Sequence, residues 1–230
     1  MCGRYRLKRI DLLEMGLRSQ PLFPGFEEFS EHPHFNVAPA YRMPIVRLGD
    51  EGRELAFAQW GLIPSWAKEA PKIKPINARA ETVATGGMFR QAFSRRRCIV
   101  PADGFYEWRK LDARTKQPMF IHFPRDRPFG FAGLWERWRG ANDEVPLETF
   151  TIITTTPNEL MAGIHNRMPV ILRPEDYTRW LDGSSSVENL KPLLAPYPEG
   201  ELEAYPVSSY VNSPKNTGPG TGTVRHNSIR

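Results

Sequence analysis

Cys2 has the most distinctive chemical potential of any residue in the chain. A small residue at position 2 permits removal of Met1, which would leave an α-amine and a thiol on adjacent carbons. Their ordinary pKa values, about 7.7–8.0 and about 8.5, make both groups usable nucleophiles near neutral pH. Such an amine condenses with an aldehyde to an imine, and the thiol can then close a five-membered thiazolidine. The alternative is that Cys2 is an arbitrary small residue at a frayed chain end.

Three other side chains are candidates for acid–base or positioning work. Strand alternation places Glu107 on the same face as Phe105, and burial there would suit acid–base chemistry; alternatively, Glu107 points outward from a half-exposed strand. His165 is a candidate proton shuttle, or a histidine satisfied by the last carbonyls of a helix. Asn77 could hold the Cys2 terminus through hydrogen bonds, or simply form a turn after a proline.

Basic residues lie beside aromatic ones in two segments, a pattern typical of proteins that bind single-stranded nucleic acid. In the first segment, three lysines surround a proline-rich loop after Trp66: Lys68, Lys72 and Lys74. In the second, four arginines interleave with Phe89 and Phe93: Arg90, Arg95, Arg96 and Arg97. The i, i+4 spacing of the two phenylalanines favours a different interpretation there, a helix with a phenylalanine core face and a solvated arginine face.

Three further arginines, Arg4, Arg79 and Arg167, each lie beside a candidate catalytic residue, where positive charge would have a use. Over the whole chain, 31 lysines and arginines exceed 26 acidic residues, which gives a net charge of +5 and a pI near 9.3. This modest basic excess is compatible with a polyanionic partner but does not require one.

Composition excludes several classes of protein. Cys2 and Cys98 do not make a disulfide framework, and no C-x-x-C or histidine cluster offers a metal site, so we expect no metal and no cofactor. The N-terminus lacks the apolar core of a signal peptide, and no stretch approaches the roughly 20 apolar residues of a membrane span. We therefore expect a cytoplasmic protein without membrane partners.

The elements that position these residues are short, because 22 prolines favour brief elements joined by turns. β-Favouring runs predict strands over 44–48, 53–60, 98–102, 105–109, 118–123, 129–135, 148–155, 169–172 and 204–208. Helical signals predict helices over 8–18, 87–96, 174–181 and 187–194, and one begun by Thr156 as N-cap. Residues 61–80 are predicted as a loop. The pattern indicates an α+β fold in one domain, residues 1–217, with a mixed, barrel-like sheet, peripheral helices and a flexible tail over 218–230.

Six motifs together resemble the SOS response-associated peptidase (SRAP) family. They occur in the family's order and span most of the chain: MCGRY at 1–5, FNVAPA at 35–40, WGLIPSW at 60–66, INARAET at 76–82, CIVPADGFYEW at 98–108 and IHNRMPVIL at 164–172. The resemblance implies a single domain on a mixed, barrel-like β core with helices around it.

The resemblance also implies a DNA–protein crosslinking function. In the family pattern, the Cys2 amine and thiol capture the sugar aldehyde of an abasic site in single-stranded DNA as a stable thiazolidine. Asn77 positions the terminus, Glu107 acts as the acid–base group, and His165 assists the imine step and the reverse reaction. The family's peptidase name reflects a proposed self-cleavage ahead of Cys2, which here would remove Met1 alone.

Arg4, Arg79 and Arg167 match the DNA-backbone positions of the family pattern. Trp66 and Trp108 lie in the motifs that flank the DNA channel, and we also expect Asn36 to bind DNA. From the resemblance we expect a monomer that associates with the nucleoid when bound to DNA. Two departures bear on affinity, because some members carry a second tryptophan where this chain has Ala67 and a basic residue where it has Gly87. Either difference could weaken a stacking or phosphate contact.

Other functions remain open from the residues alone. An N-terminal-nucleophile hydrolase would use the Cys2 thiol for acyl transfer with the α-amine as base. A cysteine peptidase could arrange Cys2, His165 and Glu107 as a triad, and a plain single-strand binding module would need none of them. A β-elimination (lyase) side reaction could also compete with ring closure.

Overall fold

The computed structural model describes residues 2–10, 15–16, 32–140 and 145–223. Within them, the β-favouring runs form thirteen strands: β1 (Tyr5–Leu7), β2 (His34–Val37), β3 (Arg42–Gly49), β4 (Gly52–Trp60), β5 (Asn77–Arg79), β6 (Arg97–Ala102), β7 (Gly104–Lys110), β8 (Lys116–His122), β9 (Phe129–Trp138), β10 (Leu147–Thr155), β11 (Met168–Pro169), β12 (Ile171–Leu172) and β13 (Glu203–Pro206). The described residues also form four short α-helices: α1 (Arg90–Arg95), α2 (Glu159–Ala162), α3 (Tyr177–Leu181) and α4 (Val187–Leu190). The helix predicted over 8–18 lies mostly outside the described residues.

Five strands close into a barrel in the order β4, β3, β6, β9 and β10, and β10 returns to pair with β4. The β10–β4 pairing at Phe150 and Trp60 is parallel, whereas the other barrel neighbours are antiparallel. β10 also carries β5 in parallel and β11 in antiparallel pairing. The predicted α+β fold with a mixed, barrel-like sheet is therefore confirmed.

A second sheet of five strands, in the order β13, β8, β7, β1 and β2, carries the beginning of the chain. β1 pairs antiparallel with β7, with Tyr5 opposite Phe105, and with β2, with Tyr5 opposite Val37. β7 and β8 form a long hairpin. Because β1 lies between two strands, the residues just before it are fixed in place beside β7.

Aromatic packing fastens β1 to the barrel. Trp60 stacks on Phe150 with 6.1 Å between ring centroids, and Tyr5 meets Trp60 edge-on at 5.3 Å and Phe131 at 6.1 Å. All four side chains are fully buried. Burial of a large apolar side chain contributes about 1.5–3 kcal/mol, so this cluster stabilises the fold at the point where the chain begins.

Two sequence predictions about local structure were wrong. The helix predicted to begin with Thr156 as N-cap is capped instead by Asn158, whose Oδ1 accepts the backbone N–H of Met161 at 2.9 Å. Asparagine is at least as good an N-cap as threonine, and it leaves one turn of helix before the next loop. The stretch 61–80, predicted as loop, contains β5, because residues 77–79 pair in parallel with β10 some 75 positions later.

The last described residues pack against the second sheet. Pro219–Gly222 forms a 3-10 turn, and the buried Thr221 donates its hydroxyl hydrogen to the carbonyl of Phe35 at 3.3 Å. Residues 224–230, the rest of the predicted tail, lie outside the described residues. The division of the chain at residue 217 stays a prediction.

Candidate active site

Cys2 lies two residues ahead of Arg4, whose carbonyl accepts the backbone N–H of Tyr106 on β7 at 3.0 Å. Its side chain is fully buried. Burial raises the pKa of the Cys2 thiol above its ordinary range, the Glu107 carboxylate nearby raises it further, and a hydrogen bond from the Arg4 backbone opposes both. The thiol is therefore protonated at neutral pH, and the structure brings it together with Glu107.

Glu107 lies on β7 and is only 2% exposed, on the same face of the strand as the buried Phe105. Of the two orientations that the sequence left open, the structure therefore has the inward one, and the outward orientation is excluded. Carboxylates are rarely buried to this degree in proteins unless a partner or a function holds them there. A buried carboxylate beside a thiol is suited to proton transfer.

Asn77 opens β5, with Ile152 of β10 as its strand partner. The strand pairing excludes the alternative that Asn77 is a turn residue. Its Nδ2 donates to the carbonyl of Ile152 at 3.4 Å, and its Oδ1 is buried without a hydrogen-bond partner among the described residues. A buried oxygen without a hydrogen-bond partner is suited to accept a hydrogen bond from a further group, such as an amine.

His165 follows α2, and its backbone N–H donates to the carbonyl of Met161 at 2.7 Å. Its ring Nδ1 accepts the backbone N–H of Arg167 at 3.1 Å, which orients the ring. The sequence neighbours of His165 and Asn77, Ile164 and Ile76, pack against the same buried cluster that contains Cys2. Among the four predicted catalytic residues, Cys2 and Glu107 interact electrostatically, and Asn77 and His165 adjoin the same large core cluster through these neighbours.

Arg4 and Asn36 are bonded to protein groups. We call residues 208–216 the C-terminal strap. Arg4 donates to the strap carbonyl of Val211 at 2.7 Å and to Asn36 Oδ1 at 3.0 Å. Asn36 is 2% exposed, and its Nδ2 lies within hydrogen-bond distance of three strap carbonyls, those of residues 211, 213 and 216. A direct contact between Asn36 and DNA would have to displace these bonds, and its place in the structure is that of a residue which positions the strap.

Removal of the Asn36 side chain should destabilise the protein. We expect Asn36→Ala to lower the free energy of unfolding by about 1–3 kcal/mol, because the partly buried strap carbonyls of residues 213 and 216 lose their Asn36 partner and the Arg4 guanidinium loses one of its hydrogen bonds. Chemical denaturation of the wild type and the variant measures this difference. Asn189→Ala, at an exposed asparagine of α4, is the control and should change the value by less than about 0.5 kcal/mol. Equal stabilities for Asn36→Ala and the wild type would contradict the assigned role.

Trp108 and Trp66 are placed differently. Trp108 is half-buried, and its Nε1 donates to Asn212 Oδ1 of the strap at 2.7 Å. Trp66 is 61% exposed, on a loop that is anchored where Trp138 Nε1 donates to the carbonyl of Ala67 at 2.7 Å. An exposed indole on an anchored loop is available for stacking against a base. Of the three lysines on this loop, Lys74 is half-buried and the other two are exposed.

Arg79 and Arg167 lie at the same end of β10. Arg79 is exposed and pairs in register with Thr154, while Arg167 donates to the carbonyl of Thr154. Arg167 also forms a bidentate ion pair with Glu81, and this hydrogen bonding lowers the pKa of the Glu81 carboxyl. Sequence reasoning missed Glu81, although its position two residues after Arg79 in the motif at 76–82 was an available signal.

The segment at residues 89–97 mostly follows the interpretation in which a helix buries its phenylalanine face in the core. It forms α1, as predicted, and the buried Phe93 meets Trp180 edge-to-face at 6.0 Å. The arginine side is not uniformly solvated, however. Arg97 is buried and donates to the carbonyls of Phe93 and Trp180, and Arg96 forms an ion pair with Glu136. Arg90 and Arg95 are exposed.

Neither a metal centre nor a membrane-spanning helix is found in the part of the chain that the structure describes. No group of three or more histidine, cysteine, aspartate or glutamate residues is arranged there to hold a metal ion. No described helix is long and apolar enough to cross a bilayer.

Comparison with known proteins adds independent information. The family model described as "SOS response associated peptidase (SRAP)" matches residues 1–214. "Abasic site processing protein YoqW" of Bacillus subtilis (strain 168) is 46% identical over 223 residues, which cover 95% of this chain and 97% of that protein. "Abasic site processing protein YedK" of Escherichia coli (strain K12) is 33% identical, with 95% and 97% covered. A crystal structure of a protein from Bacteroides thetaiotaomicron superposes with a TM-score of 0.84 at 29% identity, and covers 96% of this chain and 98% of that one.

Proposed function

The chain belongs to the SOS response associated peptidase (SRAP) family, and from that premise we propose that it processes abasic sites in single-stranded DNA by covalent capture at Cys2. The relatives named as abasic site processing proteins support the reaction class. The observation that carries the covalent step is the burial of the Cys2 thiol beside the Glu107 carboxylate.

The chemistry begins at the amine. Once Met1 is removed, the α-amine of Cys2 adds to the aldehyde of the ring-opened sugar, and the resulting carbinolamine loses water to give an imine. Burial raises the pKa of the thiol, which favours its protonated form, and we propose that the amine is the group that reacts first. We propose that Asn77 Oδ1, a buried acceptor without a hydrogen-bond partner among the described residues, receives a hydrogen bond from this amine and so orients its lone pair.

Ring closure is the step that the thiol makes possible. The sulfur of Cys2 adds to the imine carbon, the thiol proton leaves, and the imine nitrogen gains a proton. Glu107 is the group that accepts the thiol proton and returns a proton to nitrogen, and it also serves the sugar-opening and water-loss steps. His165, oriented by the Arg167 backbone, assists proton transfer at the imine stage. The net change is the loss of one water molecule.

The same terminus admits two further reactions. Self-cleavage ahead of Cys2 would release Met1 and generate the amine. An imine that does not close can undergo β-elimination, which breaks the DNA strand, so ring closure also protects the strand. We propose self-cleavage as a step that can precede capture, and β-elimination as a minor activity of the same site.

Mass spectrometry of the purified protein tests the proposal. The protein is measured before and after incubation with a single-stranded oligonucleotide that carries one abasic site, and an intact oligonucleotide serves as the control. We expect a mass without Met1, followed by a covalent adduct with the abasic strand only. A terminus that has lost Met1 and still forms no adduct would contradict the proposal and favour a hydrolase or a plain binding module.

Arg79 should contribute to binding through a phosphate. We expect Arg79→Gln to weaken non-covalent DNA binding and to reduce the slope of log affinity against log salt concentration by about 0.7, the value for one phosphate of a single strand. Fluorescence anisotropy over a series of salt concentrations measures both quantities. Arg179→Gln removes an exposed guanidinium on α3, outside the six family motifs, and should leave the slope unchanged. A loss of affinity that does not depend on salt would exclude the phosphate contact.

A further inference from the structure

We propose that the end of the β7–β8 hairpin, residues 109–116, is an additional binding surface for the phosphate backbone of the DNA strand that is captured at Cys2. This inference rests on the proposed function for the identity of its ligand. The segment reads RKLDARTK, and its charged side chains are four cations and one anion: Arg109, Lys110, Arg114, Lys116 and Asp112. All five are exposed, and the net charge of four minus one, +3, is concentrated in eight residues.

Two of the lysines face each other directly. Lys110 of β7 and Lys116 of β8 are register partners in the antiparallel hairpin, so their side chains leave the same face of the sheet. Like charges at such positions repel and destabilise a hairpin. Among the described residues, none of the four cations of the hairpin end forms an ion pair. A phosphate group between the two lysines would convert this repulsion into attraction.

The single carboxylate of the hairpin end is engaged in holding the turn. Asp112 accepts the backbone N–H groups of Arg114 at 2.7 Å and Thr115 at 2.8 Å, and these hydrogen bonds lower the pKa of its carboxyl. The turn is closed further by a hydrogen bond from the Leu111 N–H to the Thr115 carbonyl at 3.0 Å. The Asp112 carboxylate therefore faces the backbone of the turn and fixes its shape, while the positive side chains are exposed.

The hairpin end continues directly from the reaction site. Arg109 follows Glu107 by two positions on the same face of β7, a separation of about 7 Å at the usual strand rise. Lys110 follows Trp108 in the same way on the opposite face. From the buried acid outward, β7 thus passes through an indole and then through cations on both of its faces. A strand of DNA that leaves Cys2 along β7 would pass the indole and then meet positive charge on either face of β7.

The test uses a binding assay that does not depend on the covalent reaction. Lys110→Gln and Lys116→Gln are combined in a Cys2→Ala background, and affinity for single-stranded oligonucleotides is measured by fluorescence anisotropy at several salt concentrations. We expect the salt slope to fall by about 0.7 for each phosphate that the variant no longer neutralises. This fall in the salt slope should be largest for a long oligonucleotide. It should be smaller for an oligonucleotide that extends only a few nucleotides around the abasic site, because such an oligonucleotide does not reach the hairpin end.

The control is a double variant of equal charge change, Arg179→Gln with Lys191→Gln, at exposed positions after β12. It should retain the wild-type slope. The hairpin variant should also melt no lower than its parent, since the substitution removes a repulsive pair. An unchanged slope in the hairpin variant, or an equal fall in the control, would overturn the proposal. Failure of the wild type to form an adduct would instead count against covalent capture, and the binding assay would still decide the hairpin.

Discussion

Cys2→Ser is expected to abolish the heat-stable adduct with an abasic site while the variant stays folded and retains its affinity for DNA. Serine at position 2 also permits removal of Met1, so the variant keeps the α-amine and its ability to form an imine. Oxygen is a poor replacement for sulfur in ring closure, and the imine of the variant should hydrolyse or eliminate. The expected products are therefore free protein and some cleaved strand, where the wild type gives a stable crosslink.

Denaturing gel electrophoresis after heating measures the stable adduct, and borohydride reduction before heating traps any imine. Cys98→Ser is the matched control, because Cys98 is the other free cysteine and is equally buried. The yield of crosslink per folded molecule of Cys98→Ser should equal that of the wild type. A heat-stable adduct of full yield from Cys2→Ser would exclude the thiazolidine and leave the amine as the sole point of attachment.

Local patterns predicted much of the fold for a physical reason. The strand predicted over 148–155 is observed as β10, and the hairpin of β3 and β4 turns at Gly49 and Gly52, because both depend on residues that are close in sequence. β5 had no such signal. It is three residues long and becomes a strand only through its pairing with Ile152–Thr154, far along the chain.

The same distinction applies to the site. Alternation along β7 put Glu107 on the same face as Phe105, a local property that the structure confirms, whereas its burial was left open by the sequence. The bonds of Arg4 and Asn36 to the strap join residues more than 170 positions apart, and nothing near either residue indicates them. A family motif identifies such residues without revealing whether they contact the ligand or hold the wall beside it.

Glu107→Gln should slow adduct formation by about 10²- to 10⁴-fold, the range for loss of a positioned general acid or base. Glutamine preserves the shape of the side chain and its capacity for hydrogen bonds, but it cannot take the proton from the Cys2 thiol. Because Glu107 is buried within the protein, we expect little change in affinity for DNA. Single-turnover rates at saturating abasic oligonucleotide, with affinity measured separately, distinguish the two effects.

Glu136→Gln provides the matched control, since Glu136 is the other buried glutamate of the described residues and forms an ion pair with Arg96 from its place on β9. Its loss should lower the free energy of unfolding while the rate of adduct formation per folded molecule stays at the wild-type value. If Glu107→Gln reacted at the wild-type rate, the proton would have to leave the thiol by another route, with His165 as the remaining candidate. If both variants formed the adduct equally slowly, the lower rate would reflect a less stable barrel. Glu107 would then have a structural role and no role in the chemistry. A slow Glu107→Gln beside a fast Glu136→Gln is the result that assigns the carboxylate next to Cys2 to the chemistry.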